Sequence, residues 1–563
     1  MGALLHLFAD VSAGAPLPDF SALPSVLLPE TPNAATVTMD VDGTTAEVVH
    51  LSVLKLSSPF GPDGHTYWMG VSPYPAGNNQ RENPSLLSSA DGATWVEPTG
   101  LTNPIEVTPV GADYNADPHI FYKDGRLHLF WTQTSGANFL WRHASSTNGV
   151  DWDGTNGSEA PATIRTGSIV VGGDAVSPSF DRLVHSGAAA TYGAWAVDVS
   201  PGAAGTYTVE HWTSNSLASW AGGSTECTLN GLPATHRPWH AEVRARGNGY
   251  YIVLAAQPKR NYNDTEDTAA GADVELWAGT STDATTWQLY PIASPNRDTG
   301  TAHWAANRLY RSSLVVDPTG ETVGKLYMIG FAQAANFRFE GVDLKERTAA
   351  FPTEPVFVVH RNSADYPTVF NTTGPIIDSI GAWITGGGSD TSDGNIVNKP
   401  TLAADSILFQ TQDIYWSRAS RQQVTTAIIF RQNGAGAPSG IEFLLRAQSV
   451  GIIQNYEALQ LVYAADYDGA ALPFDRYVQN RWKVAVVGYN GSHSHLLVDN
   501  MLVRTDDAVV LPAANTLLAI GNTAVGSAPG NMSVRAVYHW DSGMTAEQMF
   551  QVYQKLRLEA DLL

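Results

Sequence analysis

Cysteine is almost missing: Cys227 stands alone among 563 residues. No intrachain disulfide can form, and no metal site can be built on cysteines. Charge is sparse as well, at 15% of residues, and it leans acidic, with 54 Asp and Glu against 32 Lys and Arg and a formal net charge of −22. Such a chain lacks the broad basic footprint that binds nucleic acid. No run approaches the ~18 apolar residues of a membrane-spanning helix, so no membrane insertion is expected. No Lys or Arg precedes Lys55, so the apolar start "MGALLHLFADVSAGA" lacks the basic region of a secretory signal. The expectation is a soluble protein made in the cytoplasm, which reaches an extracellular target only if something else carries it.

What is present points to strands and turns. The chain holds 51 Gly, 32 Pro and 16 Trp, with 43% hydrophobic residues, which is ample for packed cores and suits an all-β protein. Its length implies two to four domains. One turn recurs: "SADGATW" ends at Trp95, "STNGVDW" at Trp152, "SNSLASW" at Trp220 and "STDATTW" at Trp287, about 57 to 68 residues apart. One such turn per four-stranded blade is the mark of a β-propeller. The short polar residue closes the turn while Trp packs between neighbouring blades. Paired strand runs precede each copy, and a fifth start follows with "LYRSSLVV", "KLYMIGFA" and "PVFVVHRN" as a closing strand. Five blades over residues 45–365 result, preceded by an N-terminal extension, 1–44, that is free to pack on the propeller or dock elsewhere.

Blade two is the most legible. "DPHIFYKDGRLHLFW" alternates apolar and polar residues around Asp124-Gly125, the pattern of a hairpin with a tight turn. In a regular strand Asp117 and His119 share one face. His240 and Glu242 repeat that spacing in blade four. Innermost strands line a propeller's axis, so polar residues at their starts converge: His50 from blade one, Asp117 and His119 from two, Asp174 before three, His240 and Glu242 from four, Tyr310 and Arg311 from five. Glu82, after the loop "PYPAGNNQ", faces the same mouth. Two carboxylates are the minimum equipment for cleaving a glycosidic bond, one protonated and one ionised. The aromatic surroundings of Glu242 in "RPWHAE" predict a raised pKa and the acid's role; Asp117, in a more polar stretch, is expected to stay ionised, with Glu82 a third candidate. Each also has a plainer reading. Asp174 and Asp117 fit turn caps, His128 and His211 fit hydrogen-bonded core positions, and Trp239, Trp304 and Tyr310 serve equally as packing or as platforms for a sugar ring. No cofactor is required, though His50, His119, His240 and His303 can ring a central cation such as calcium, or a water cluster.

These blade motifs resemble the five-bladed propeller glycosidases, the group of arabinanases, β-xylosidases and invertase-type fructosidases. The resemblance covers residues 45 to 362 and implies glycoside hydrolysis of a cell-surface or extracellular polysaccharide. It also allows Asp117 to orient the sugar and tune the acid instead. The invertase-type Asn-Asp-Pro-Asn signature is absent from blade one, which opens with "VHLSVLKL", so no first-blade nucleophile carries over. Sialidases have similar turns on six blades with three arginines, for which Arg244, Arg308 and Arg311 stand as candidates, but five blade starts are counted. Beyond residue 366 the strands lengthen, and "RWKVAVVGYNGSHSHLLVDNMLV" with the terminal helix "MTAEQMFQVYQKLRLEADLL" resembles a concanavalin- or laminin-G-type sandwich over 366–563. The helix carries a capping box, Thr545 and Gln548, and a staple, Met544 and Met549. A propeller followed by a lectin-like sandwich is similar to host-recognition proteins of phage tails, which implies a virion setting, possible oligomer or virion partners through 1–44 or the sandwich, and, as the alternative to an enzyme, a carbohydrate-binding recognition protein.

Overall fold

The computed structural model describes most of residues 48–344, residues 17–20 and the short pairs at 40–41 and 44–45, and beyond 344 the strands and helix given below; stretches including 155–160, 169–174, 200–206, 259–273 and 294–304 lie outside the described residues. The chain separates into two compact units, Met1–Pro295 with His303–Glu346, and Arg347–Leu563 with Asn296–Ala302.

The first unit is a five-bladed β-propeller. Blade one holds strands Val48–Phe60, His65–Pro73 and Ser85–Ser89, with Val96 bridging to Ser88. Blade two runs Asn115–Lys123, Arg126–Ser135, Asn138–Ser146 and Ala162–Ser168, and blade three Ala175–Arg182, Tyr192–Asp198, Thr208–Ser214 and Thr225–Glu226. Blade four runs His236–Arg246, Gly249–Pro258, Glu275–Ser281 and Thr286–Ala293, with Thr228–Asn230 added in parallel at its rim. Blade five holds Ser313–Val316, Gly324–Phe331 and Phe337–Leu344, and Arg308–Leu309 also pairs with its middle strand. The expected closing strand does not belong here. Phe357–His360 pairs with Met532–Trp540 in the second unit, so its apolar run serves another sheet.

Five apolar clusters fill the seams between adjacent blades. The seam between blades five and one joins Val48, Leu51 and Trp95 to Tyr327 and Ile329, which closes the ring. Each repeated Trp lies in the seam with the preceding blade: Trp95 against Tyr327, Trp152 beside Trp68, Trp220 beside Trp141 and Phe180, and Trp287 beside Trp195. The turns before them have the expected chemistry. Asp91 Oδ1 accepts from the amides of Ala93 and Thr94, both at 2.8 Å, and Asp283 Oδ1 accepts from those of Thr285 and Thr286 at 2.9 and 2.6 Å. Asn148 repeats this at 2.9 Å, and Ser216 supplies a hydroxyl to Ala218 N at 3.1 Å. Phe20 from the N-terminal extension is buried in the seam of blades four and five.

Gly92 shows how tight these turns are. Its φ is +70°, and an added Cβ would lie 2.6 Å from the Tyr327 hydroxyl, which itself donates to Gly92 O at 3.0 Å. Gly92→Ala is expected to cost about 2 kcal/mol or more, the left-handed penalty of ~1–2 kcal/mol plus a disturbed buried hydrogen bond. At Gly111, φ +90°, nothing lies within 4 Å of the added atom. Denaturant melts of both alanine variants check the difference: Gly111→Ala should lose only the backbone part.

Towards the axis the packing turns polar. Small buried serines bond the innermost strands to one another: Ile120 N donates to Ser52 Oγ at 3.1 Å, Ser179 Oγ to Ala241 O at 3.2 Å and Val53 N to Ser313 Oγ at 2.8 Å. Four of these strands also carry a register shift at their start, between Val48 and His50, Ala116 and His119, Val176 and Ser179, and Pro238 and His240. A bulge re-aims side chains, and here it does so at the same level in four blades.

The second unit has a seven-stranded sheet, in which Met532–Trp540 and Val424–Gln432 are central, and a six-stranded sheet running from Ile414–Trp416 to Ala471–Pro473. This matches the expected lectin-like sandwich. Its helix, Ala546–Asp561, begins with the capping box: Gln548 N donates to Thr545 Oγ1 at 3.2 Å, and Thr545 N to Gln548 Oε1 at 3.0 Å. Met544, just before the helix, and Met549, Val552, Tyr553 and Leu556 within it are buried.

Candidate functional site

The bulges decide which side chains meet at the axis. Asp117 (φ +55°) and Ser177 (φ +54°) are both non-glycine residues in the left-handed region, each just before a proline, at equivalent places in blades two and three. Such a backbone is costly and persists only where its surroundings hold it. Here each side chain supports the other. Ser177 N donates to Asp117 Oδ2 at 3.0 Å and Ser177 Oγ to Asp117 Oδ1 at 3.2 Å. Ser177 Oγ also makes a short hydrogen bond with His240 Nδ1.

Around Asp117 stand groups from three further blades. His50 Nε2 lies 3.2 Å, His240 Nδ1 3.6 Å and Arg311 Nη1 3.4 Å from Asp117 Oδ1. The other nitrogen of His50, Nδ1, lies 3.4 Å from Glu82 Oε2. Burial alone would raise the Asp117 carboxyl, but His50, His240, Arg311 and the Ser177 amide together hold it well below the usual carboxylate range. Burial raises Glu82, opposed by its neighbour His50. Burial likewise keeps His240 neutral far below the usual imidazole range, although Asp117 opposes this. The Glu82 loop is pinned from blade two: Asn115 Nδ2 donates to Asn83 Oδ1 at 2.9 Å, and Asn83 Nδ2 to Thr108 Oγ1 at 2.9 Å. Tyr310, half-buried, lies against both imidazoles, with ring centroids 5.3 Å from His50 and 4.5 Å from His240, and half-buried Trp239 meets His240 edge-on at 5.7 Å.

His50, Asp117 and His240 each offer one ligating atom, all within 4.8 Å of one another. Neither nitrogen of His50 has a partner in hydrogen-bond geometry, and neither does His240 Nε2, although all are buried. Buried polar atoms without partners call for an explanation. Two imidazoles and an ionised carboxylate are the donor set of a divalent transition metal, and this cluster fits one better than calcium, which prefers oxygen throughout.

One step further along the strands lies a second polar cluster, and two expected roles change there. Glu242 is only 1% exposed. Its Oε1 accepts from Arg244 Nη2 at 2.7 Å and Ser52 Oγ at 2.5 Å, with His119 Nδ1 3.6 Å away. Burial would raise its pKa, but Arg244 and His119 bring it down to about 2. The protonated acid expected from the aromatic surroundings is therefore not formed, because Arg244, two residues on, shares its face. His119 does not share a face with Asp117 either, since the bulge at Asp117-Pro118 breaks the alternation. It bonds Phe180 O through Nε2 at 3.0 Å, and burial with Arg244 lowers it to about 4. Arg311, expected at the ligand, is instead fully buried, with Nη1 3.4 Å from Asp117 Oδ1. Arg244 Nη1 donates to Ile120 O at 2.5 Å and Nη2 to Val53 O at 3.1 Å, which makes it a strut between blades. His128 pairs with His143 at 3.0 Å, as a core histidine should. Asp174, His303 and Trp304 lie outside the described residues. Sequence patterning does not single out Ser177, Asn83 or Asn115 as site residues. The repeated "DP" and "SP" at the starts of blades two and three was the available signal for Ser177.

No family model matches the chain. A protein described as an A type blood N-acetyl-alpha-D-galactosamine deacetylase, from Flavonifractor plautii, is 34% identical over 113 residues, which are 19% of this chain and 14% of that protein. The chain thus matches about one seventh of that relative's length. Among solved structures, an N-acetylgalactosamine deacetylase from F. plautii in complex with blood group B trisaccharide is similar at a TM-score of 0.43 and 20% identity, over 57% of this chain and 94% of that one. The GH43 protein BlXynB from Bacillus licheniformis gives 0.35 and 11%, over 90% and 99%. An exo-1,5-alpha-L-arabinanase from a bovine ruminal metagenomic library gives 0.34 and 11%, over 57% and 97%. These are distant likenesses to carbohydrate-active proteins; the propeller itself is read from its sheets.

Proposed function

We propose that the protein is a hydrolase acting on a glycan, and that its chemistry is cation-assisted removal of an acyl group, an N-acetyl group foremost, from a sugar. The observation that carries this reading is the trio His50, Asp117 and His240, from three blades, with buried ring nitrogens lacking hydrogen-bond partners. His50 Nε2, one Asp117 oxygen and His240 Nε2 would hold a divalent cation. The chemistry such a cation would supply there is polarisation of the carbonyl and a lowered pKa for water. The reaction adds water across the amide: the C–N bond breaks, the water oxygen stays with the acyl carbon as a carboxylate, and both water protons end on the nitrogen as an ammonium group. Glu82 Oε2, 3.4 Å from His50 Nδ1, stands where a carboxylate would orient that ring in the manner of a carboxylate–histidine–metal arrangement. The ionised Asp117 supplies negative charge, and Tyr310 and Trp239 offer apolar faces on which a sugar ring can stack. The local identity to a sugar deacetylase agrees with this reading.

A second reading is glycosidic cleavage with Glu82 and Asp117 as the carboxylate pair. It is favoured by their approach to opposite nitrogens of His50, and in it Glu242 has no part. One experiment separates the two. Chelated protein and protein reloaded with Mn²⁺ are incubated with N-acetylated oligosaccharides, and acetate and new reducing ends are both assayed. Acetate release that returns with the metal supports deacylation. New reducing ends that persist after chelation would overturn it in favour of the glycosidase. Transport on a phage particle is a separate proposal that rests on the sequence resemblance alone.

A further inference from the structure

We infer that Ser177 is a positioning residue which selects the metal-binding tautomer of His240 and locks Asp117 beside it. This rests on the cation reading of the His50–Asp117–His240 cluster. The Ser177 hydroxyl touches two groups, Asp117 Oδ1 at 3.2 Å and His240 Nδ1. An ionised carboxylate can only accept, so the hydroxyl proton goes to Asp117. The contact with His240 then needs a proton on Nδ1, with the serine oxygen accepting it. A neutral imidazole carrying its proton on Nδ1 has its lone pair on Nε2. Nε2 is the ring nitrogen of His240 that is buried without a partner.

The backbone of Ser177 completes the arrangement. Its amide donates to Asp117 Oδ2 at 3.0 Å, so a single residue fixes both carboxylate oxygens and one imidazole. The left-handed φ of +54° is what turns amide and hydroxyl towards the same carboxylate. Ser177 is fully buried, so it acts through Asp117 and His240. Partners of this kind set ligand orientation, and losing one commonly costs ~10–100-fold in metal affinity.

The test is Mn²⁺ titration calorimetry on the chelated full-length chain, with thermal melts of the metal-free protein alongside. Ser177→Ala removes the hydroxyl and keeps the amide. It is expected to weaken Mn²⁺ binding by about 10–100-fold while the metal-free melting temperature changes little. Ser179→Ala is the control, because Ser179 is equally buried and bonds Ala241 O at 3.2 Å without touching a ligand. It should bind Mn²⁺ as the unsubstituted protein does. Should Ser177→Ala fail to fold, Ser177→Gly replaces it, since glycine suits the positive φ. Affinity in the Ser177 variant equal to that of the unsubstituted chain would overturn the inference and leave the cation site standing. Failure of the unsubstituted chain to bind Mn²⁺ would overturn the cation reading, and the inference with it.

Discussion

Asp117→Asn is expected to remove about three orders of magnitude of hydrolytic activity while the protein remains folded. Asp117 is the one carboxylate of the trio, and its charge would balance that of a cation held with the two imidazoles. An amide oxygen keeps the shape and loses the charge. Losing ~4 kcal/mol of charge stabilisation in the transition state corresponds to about 10³ in rate. A stability cost accompanies it. Arg311 is fully buried with Nη1 3.4 Å from Asp117 Oδ1, and removing a buried ion's partner costs ~3–5 kcal/mol. Turnover should therefore be expressed per folded molecule, with metal content measured on the same sample. Undiminished turnover at normal metal content would mean that Asp117 serves only the turn in which it sits.

Glu242→Gln separates the two polar clusters. The substitution leaves the Arg244 guanidinium buried without its carboxylate, and Arg244 also braces Ile120 O and Val53 O across two neighbouring blades. A loss of ~3–5 kcal/mol is expected, a large part of the ~5–15 kcal/mol by which domains are typically stable. Activity per folded molecule should fall by less than about tenfold, because the carboxylate is enclosed and ionised rather than poised to give a proton. Denaturant unfolding, paired with an assay at low temperature, reads both quantities. A stable variant with no activity would restore Glu242 to the chemistry and remove the basis for treating it as a strut.

The architecture was legible because propellers repeat. Four tryptophans at similar spacing, each behind a short polar turn, reported the seams between blades, and the structure places them there. The convergence of His50, Glu82, Asp117 and His240 was also legible, because it follows from strand starts facing one mouth. The partners within that convergence were not. Counting by twos from Asp117 to His119 assumes a regular strand, and the bulge at Asp117-Pro118 sends the two residues to different clusters. The same counting from Glu242 to Arg244 is valid, and it would have shown a cation on the carboxylate's own face. An aromatic environment raises a carboxyl only where no such cation lies near, and Arg244 reverses the outcome. Ser177 escaped because serine in a strand carries little signal; only its alignment with Asp117, each before a proline, marks it. Phe357–His360 reads as a closing strand of blade five yet pairs with Met532–Trp540, because a short apolar strand does not reveal its partner.

The most direct measurement is a crystal structure of the Mn²⁺-soaked protein with anomalous diffraction recorded at the manganese edge. One strong peak is expected, bounded by His50 Nε2, Asp117 and His240 Nε2, at roughly 2.0–2.4 Å from each ligand atom. A peak elsewhere, or well-ordered density for the three side chains with no peak among them, would contradict it.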